Sequence, residues 1–381
     1  MTDVLVVGGG PSGSSSALRL ARAGFEVSVL ERAQFPRTKV CGEYVSPGAC
    51  NALAELGLLD AIAAEAFPLR TISLSGFGTQ PVRLRLPDRG ALSIPRSRFD
   101  EILLEAACDA GATAIGGAFL DIEGSRDRLV VSYRDRDGAD RNIECRVLVG
   151  ADGAFSTVAQ RAGMARRRKR GGRWAVGGHL TGQKDEDALE MFVGPGGYYA
   201  RNPLGNGKAN SMLVMPEARR GSDADRTVIE LTKGKCRFEE DKLERRVAVG
   251  PLRYAADVAA RGRVLLVGDA AGLLDPFVGQ GMAIALETSS SVVTATDALL
   301  RGARSSAIAR DFAAARTSAV RPRTMLAAAV DAVIRVRPLR ERAERAIRRD
   351  PANAESVLAA LAGAVPARTA LNPRALLGLI A

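Results

Sequence analysis

Histidine is nearly absent. His179 is the only one in 381 residues, which argues against a His-based metal site and against a Ser-His-Asp triad. It reads instead as a core or surface residue. Five cysteines (Cys41, Cys50, Cys108, Cys145, Cys236) occur with no C-x-x-C pair, the pattern of neither a zinc site nor a disulfide framework. Aromatic residues make up 4% of the chain and Trp174 is the single tryptophan, too few stacking platforms for nucleic-acid binding. No stretch approaches the ~20 apolar residues of a membrane span. The short apolar run at Val4–Val7 stops at glycine and lacks a basic flank, so it does not read as a signal peptide. These absences together predict a cytoplasmic protein. A hydrophobic fraction of 46% excludes global disorder, and the length suits two domains or one with insertions.

Lysine is scarce too. Only seven occur, so 47 of the 54 basic residues are arginine, and the net charge is +11. The densest cluster is Arg166-Arg167-Arg168-Lys169-Arg170. It could meet an anionic membrane surface, an acyl carrier or a nicotinamide phosphate, although a solvated loop without a partner is the plainer reading.

What the chain does have is a glycine frame at its start. Val4-Leu5-Val6-Val7 is a buried parallel strand by composition, and Gly8, Gly10 and Gly13 then fall in a G-x-G-x-x-G frame around Pro11 and Ser12. Such glycines permit a tight turn, a close approach of backbone to pyrophosphate, and close helix–strand packing. A helix over 14–23 follows, whose amino end can hold the pyrophosphate. A second strand over 25–30 ends in Glu31-Arg32. The Glu31 carboxylate, 18 residues after Gly13, is placed to accept from the hydroxyls of an adenosine ribose.

Two later constellations complete the pattern. Val149-Gly150-Ala151-Asp152-Gly153 delivers an Asp-Gly turn at a strand end, followed by Ser156 as a helix cap. Val267-Gly268-Asp269-Ala270-Ala271-Gly272 continues into Pro276-Phe277-Val278-Gly279-Gln280-Gly281-Met282. Small residues after Asp269 allow a ligand near the backbone, the Asp269 carboxylate can accept from a polyol hydroxyl, and Gly279 and Gly281 bracket a helix start that can face developing negative charge. Each turn alone is ordinary; the three in this order indicate FAD.

Between the motifs the pattern predicts a loop over 33–47, a helix over 48–65, short strands at 70–76, 82–86 and 91–94, and a helix over 97–110 capped by Ser97 with Asp100-Glu101 in its first turn. Strands at 112–122, 129–133 and 143–150 follow, the last two joined by an Asp-Arg-Asp-Gly turn. Four glycine-broken strands (174–181, 189–193, 198–203, 209–215) and a helix at 223–233 form a separate β-rich layer. The remainder is helical. The expected class is α/β: a Rossmann-like FAD-binding domain (1–70, 96–171, 251–295), an inserted β-rich substrate domain (71–95, 172–250), and a helical C-terminal region (296–381).

These motifs resemble those of the group A flavoproteins, the superfamily of para-hydroxybenzoate hydroxylase, geranylgeranyl reductases and flavin-dependent halogenases, over at least residues 1–290. The resemblance implies that Gly8–Gly13 and Glu31 hold ADP, that Gly268-Asp269 meets the ribityl chain, and that Asp152-Gly153 serves FAD and the nicotinamide. It places Pro276, Gly279, Gln280, Gly281 and Met282 beside the isoalloxazine, and brings Arg96, in an R-x-x-F-D helix start, toward the flavin. Phe35-Pro36-Arg37-Thr38-Lys39-Val40-Cys41-Gly42 is similar to the F-P-R-x-K-x-C-G loop of the geranylgeranyl-reductase-like branch, which implies roles at the cofactor for Lys39, Cys41 and Gly42. That branch often continues C-G-G-G-L-S; this chain reads C-G-E-Y-V-S.

The expected activity is an NAD(P)H-dependent monooxygenase of an apolar or aromatic natural-product substrate, with O₂ adding at C4a of the flavin and the protein supplying a dry, positive cavity. NAD(P)H would bind only transiently, since one dinucleotide fold is evident. The alternative is an FAD-dependent reductase of an unsaturated lipid-like substrate, with Cys41 a proton donor or a packing residue. A halogenase needs a lysine near the flavin; none lies between Lys39 and Lys169, and no W-x-W-x-I-P motif is present. A carrier without turnover is the non-enzymatic alternative. Tyr198, Tyr199 and Arg201 are the candidate substrate contacts, the tyrosines by stacking on a flat ring.

Overall fold

The computed structural model describes all residues except 77–79, 88–89, 126, 167–171, 195, 220–222, 239–242, 245 and 373–381. Arg167–Arg170 of the basic cluster therefore lie outside the described residues, while Arg166 pairs with Asp257 at 3.8 Å.

The first strand, Thr2–Val7, is the centre of the nucleotide sheet. Its apolar residues are buried because both edges are paired in parallel: Val4 lies opposite Val27 on one side and Val147 on the other. The strand Thr113–Gly124 extends the sheet beyond Val27–Glu31, and Val264–Leu266 extends it beyond Asp140–Gly150. The strand ends at Val7, Gly150 and Leu266 thus stand side by side, the edge of an open α/β sheet where ligands bind. Leu129–Asp135 folds back on this layer as an antiparallel strand, and Asp135 closes its turn by accepting from the amides of Asp137 and Ala139.

Helix Pro11–Arg22 packs on this sheet beside helix Arg96–Asp109. Phe99, Leu103 and Ala107 recur at four-residue spacing on the latter and are completely buried. Phe99 and Leu103 each contribute about 1.5–3 kcal/mol by leaving water.

The second sheet has the order 247–249, 173–181, 208–216, 197–205, 188–194, 71–75, 82–85, and only the contact of 71–75 with 188–194 is parallel. A small third sheet joins 44–45, 91–93 and 67–69; the strand Phe67–Leu69 carries no signal in the sequence pattern. The chain's last long helices, Ser305–Arg335, Arg337–Arg349 and Pro351–Leu361, close on the second sheet. Ile334, Ile347, Ala354 and Leu358 share a core with Ile72, Leu84, Met191 and Val214. Helix Ser290–Leu300 straddles the expected boundary at residue 295. Among the described residues no helix is long and apolar enough to cross a membrane.

Two local expectations need correction. The helix expected over 48–65 is two, Pro47–Glu55 and Leu59–Glu65, because Gly57 turns left-handed at φ +70° between them. Ser97 does not cap its helix. The helix starts at Arg96 behind Pro95, and the Arg96 amide donates to Glu43 Oε1 at 3.0 Å, so the cap comes from a carboxylate 53 residues away.

Candidate active site

Glycine contacts bring the three motifs to one place. A Cβ at Gly8, where φ is +107°, would sit 2.5 Å from the Ala151 carbonyl oxygen, so the first motif is seated directly on the second. A Cβ at Gly268 would lie 2.5 Å from Ser12 Oγ, which seats the third motif on the first helix. Gly279 lies against the Tyr44 ring at 2.8 Å by the same measure, so the Cys41–Tyr44 loop meets the third motif as well. Pro11 opens the first helix, and no side chain caps that end, leaving its amides free for an anion.

Around these turns lies a charged cluster. Arg96 grips Asp100 through two parallel hydrogen bonds of 2.8 Å, and Arg37 reaches the same carboxylate at 3.0 Å. The Arg37 guanidinium also lies 3.3 Å from a Cβ placed at Gly10. Lys39 is exposed on its loop, and desolvation by the surrounding protein, with Arg96 and Arg37 alongside, lowers its pKa. Burial raises the pKa of Asp269 although Lys39, Arg96 and Arg316 all oppose this. Arg316, from the long C-terminal helix, donates to the Gly272 carbonyl at 3.0 Å. Four cations thus face two carboxylates, an excess of two positive charges.

The residues present fit FAD. The excess charge matches a pyrophosphate. Glu31 accepts from the amides of Gly9 (2.6 Å) and Ala33 (2.8 Å), which orients it and leaves lone pairs for ribose hydroxyls. Among the described residues, the buried polar atoms without a partner include Arg37 Nε, Arg316 Nε and Asp152 Oδ1, the other Asp152 oxygen being engaged by the Thr157 and Val158 amides. Buried polar atoms are rarely orphaned, and a polar ligand is what would satisfy them. Gly42 and Gly281 face open space, with no atom within 4 Å of a Cβ at either. At Gly153 only Lys39 Nζ comes near, at 3.6 Å. Glycines with room around them front a space that a ring could fill.

Not every expected contact points there. Met282 is buried in the first core. The Gln280 side chain turns away, its amide donating to the carbonyls of Ala360 and Leu361, and so ties the third motif to the last helix. Arg32 is exposed at the strand end. Pro276 starts a short 3₁₀ turn capped by Asp275, which accepts from the Phe277 amide and pairs with Arg173, each at 3.0 Å.

The strand Gly197–Gly205 separates the substrate candidates, because successive side chains point to opposite faces. Tyr198 faces inward, its ring 5.2 Å from Phe277, and burial raises its phenol pKa. Tyr199 is completely buried on the other face against Phe192 and Phe238, its hydroxyl accepting from Ser211. Arg201, on the Tyr199 side, pairs with Glu190 and Gln183. The structure therefore does not bring Tyr199 and Arg201 to the cavity that Tyr198 borders, a narrow space of about 50 Å³ also bounded by Arg173, Val193, Phe277, Ile334 and Arg335.

The inward face is apolar through Ala175, Met191, Val193, Met212 and Val214, and polar at one end, where His179, Asn202 and Asn210 meet the Cys41–Glu43 loop. Asn202 donates to the Gly42 carbonyl (2.9 Å) and Asn210 to the Cys41 carbonyl (2.9 Å). Cys41 Sγ accepts from the Glu43 amide at 3.4 Å and lies against the Arg96 guanidinium. Glu43 holds φ +55°, a left-handed conformation in which glycine is the usual residue. Sequence reading missed Arg37, Glu43, Asn210 and Arg316 as site residues. Asn210 carried a signal, since polar amides are uncommon inside strands.

This geometry defines a flavoprotein: a dinucleotide cradle at the carboxyl edge of a parallel sheet, roofed by a second, apolar sheet. Residues 1–327 match the FAD binding domain family, and the chain belongs to it. Menaquinone reductase of Mycobacterium tuberculosis (strain H37Rv) is 33% identical over 306 residues, 75% of this chain and 74% of that protein. Digeranylgeranylglycerophospholipid reductase 2 of Methanothermobacter thermautotrophicus is 30% identical over 305 residues, 75% of each chain. The solved structure of the flavin-dependent brominase Bmp2 superposes with a TM-score of 0.82 at 17% identity, covering 95% of this chain and 93% of that one. That likeness shows the shared fold. The chain is an FAD-dependent oxidoreductase of the superfamily in which such reductases and halogenases both occur.

Proposed function

We propose that the chain is an FAD-dependent reductase of an unsaturated, isoprenoid-like apolar substrate, with NAD(P)H as the electron donor. This reverses the order expected from the motifs, which put a monooxygenase first. The observation that carries it is the apolar inward face of the second sheet standing over the Cys41 loop. Val193, Phe277 and Ile334, with the Tyr198 ring, border the narrow cavity on that face and offer dispersion contacts to a hydrocarbon chain. The two reductases compared above support it by their substrates' chemistry.

FAD held there and reduced by a nicotinamide would supply two electrons as a hydride. The protein completes the reduction by supplying a proton to the other carbon. Cys41 is the candidate donor: the Glu43 amide and the Arg96 guanidinium hold its thiol beside the cationic cluster. Arg37, Lys39, Arg96 and Arg316 bind the anionic cofactor, and Phe277 with Tyr198 keeps water from the apolar side.

One observation favours the monooxygenase as a second reading: Glu43 stands where the reductase-like loops carry glycine. The discriminating experiment mixes anaerobically reduced enzyme with a menaquinone or a geranylgeranyl lipid, and follows flavin reoxidation and product mass. Reoxidation with gain of two hydrogens and no O₂ is expected. No anaerobic turnover, with oxygen incorporated from ¹⁸O₂ when air is admitted, would replace the reductase by the monooxygenase.

A further inference from the structure

The only histidine of the chain is engaged at the junction between the two sheets. His179, in the strand Arg173–Thr181, places Nε2 2.7 Å from Glu43 Oε2. The Glu43 side chain is 5% exposed. Both of its oxygens are engaged: Oε2 also accepts from Asn210 Nδ2 at 3.0 Å, and Oε1 accepts from the Arg96 amide at 3.0 Å. One carboxylate therefore ties together the second sheet, the start of the Arg96 helix and the loop that carries Cys41 and Gly42. The neighbouring carbonyls of that loop are held from the same sheet by Asn202 and Asn210. The loop accommodates this with Glu43 in a left-handed conformation, φ +55°.

We propose that Glu43 and His179 are a positioning pair: an ion pair that pins the Cys41–Gly42–Glu43 loop to the substrate sheet in its flavin-receiving position, so that tight FAD binding requires a protonated His179. The proposal is independent of whether the acceptor is an alkene, a quinone or oxygen. It follows from connectivity. Gly42, beside Glu43, fronts the open space that fits the flavin, and Arg96, whose amide Glu43 caps, directs its guanidinium to Cys41 and Asp100. A neutral imidazole with its proton on Nε2 still donates to the carboxylate but no longer supplies the counter-charge, which weakens the loop's tie to the sheet.

The charged groups around the pair agree with this. Glu43 dominates and holds the imidazolium, raising the His179 pKa. Glu244, whose amide donates to the His179 carbonyl, adds in the same direction. Lys208 opposes but is itself paired with Glu244 at 3.2 Å. On the far side of Glu43 the Arg96 guanidinium is committed to Asp100.

A single histidine makes the test direct. In FAD-loaded enzyme carrying ¹³C-histidine and a histidine-free tag, one imidazole cross-peak reports His179. Its midpoint is expected above the ordinary value of about 6.5, and Glu43→Gln is expected to return it to or below that value. The FAD dissociation constant, read by flavin fluorescence, is expected to rise roughly tenfold as pH passes that midpoint, the scale of one charge-assisted hydrogen bond. His179→Gln is expected to bind FAD weakly at every pH, with no such inflection. If Glu43→Gln does not fold, the wild-type midpoint and the His179→Gln profile decide. A wild-type midpoint at or below the ordinary value overturns the proposal. So does a His179→Gln variant that keeps the wild-type affinity and pH profile.

Discussion

Replacing Gly281 by alanine tests whether the open space in front of the third motif belongs to the flavin. Gly281 begins the helix Gly281–Thr288, and no atom lies within 4 Å of the Cβ that alanine would add. Its φ is not left-handed, so the backbone accepts the change. Without cofactor the substitution should be neutral or stabilising by up to ~1 kcal/mol, through helix propensity and a less disordered unfolded chain. With cofactor the methyl group enters a packed contact at a helix amino end. Overpacking of that kind costs ~1–3 kcal/mol, or about 5- to 150-fold in the FAD dissociation constant. Gly13→Ala is the contrasting case, because its Cβ would fall 1.8 Å from the Gly8 carbonyl oxygen and 3.1 Å from Ala151 Cβ. That variant should lose apo-protein stability and FAD together. Thermal melts of apo-protein paired with FAD fluorescence titrations separate the two. Wild-type FAD affinity in a stably folded Gly281→Ala would refute the assignment of that space to the flavin.

Asp269→Ala should weaken FAD retention more than Asp275→Ala, because Asp269 lies among Lys39, Arg96 and Arg316 whereas Asp275 caps the Phe277 amide and pairs with Arg173. The Asp275 variant should instead lose about 0.5–2 kcal/mol of stability; equal dissociation constants for the two would remove the role given to Asp269. Tyr199→Phe should leave KM unchanged and cost about 1 kcal/mol through the Ser211 hydrogen bond, while Tyr198→Ala should raise KM; steady-state kinetics with parallel melts would expose the reverse pattern. Because the folded protein raises the His179 pKa, the native state holds that proton more tightly than the unfolded chain. Its contribution to stability should be complete below about pH 6.5 and be lost as pH rises through the folded value. A His179→Gln melt series that declines just as the wild type does over that window would contradict this.

The cofactor, the parallel sheet and the two-layer architecture were legible in the sequence because each rests on local chemistry. Gly8, Gly10 and Gly13 follow an apolar strand, Glu31 ends the next one, and Asp152 and Asp269 stand at two more strand ends; local spacing is enough to place all of them. Side-chain direction within the second sheet was only half legible. The strands were found, but Tyr198 and Tyr199 point to opposite faces, and which face meets the flavin segment depends on how the sheet packs on Phe277.

Contacts between distant segments were not legible at all. Arg37 and Arg96 converge on Asp100, Arg316 arrives from a helix far along the chain, and the cap of the Arg96 helix is Glu43 rather than Ser97. His179 reads in the sequence as a solitary residue with nothing to do. Its partner lies 136 positions away, on a loop whose sequence points to the cofactor and gives no sign of this contact. Periodicity and motif spacing encode what each segment can be, since propensity and burial act over a few residues. Which polar groups meet across the interior is decided by the packing of the two sheets, because only that packing removes water from Glu43 and leaves His179, Asn210 and the Arg96 amide as its partners.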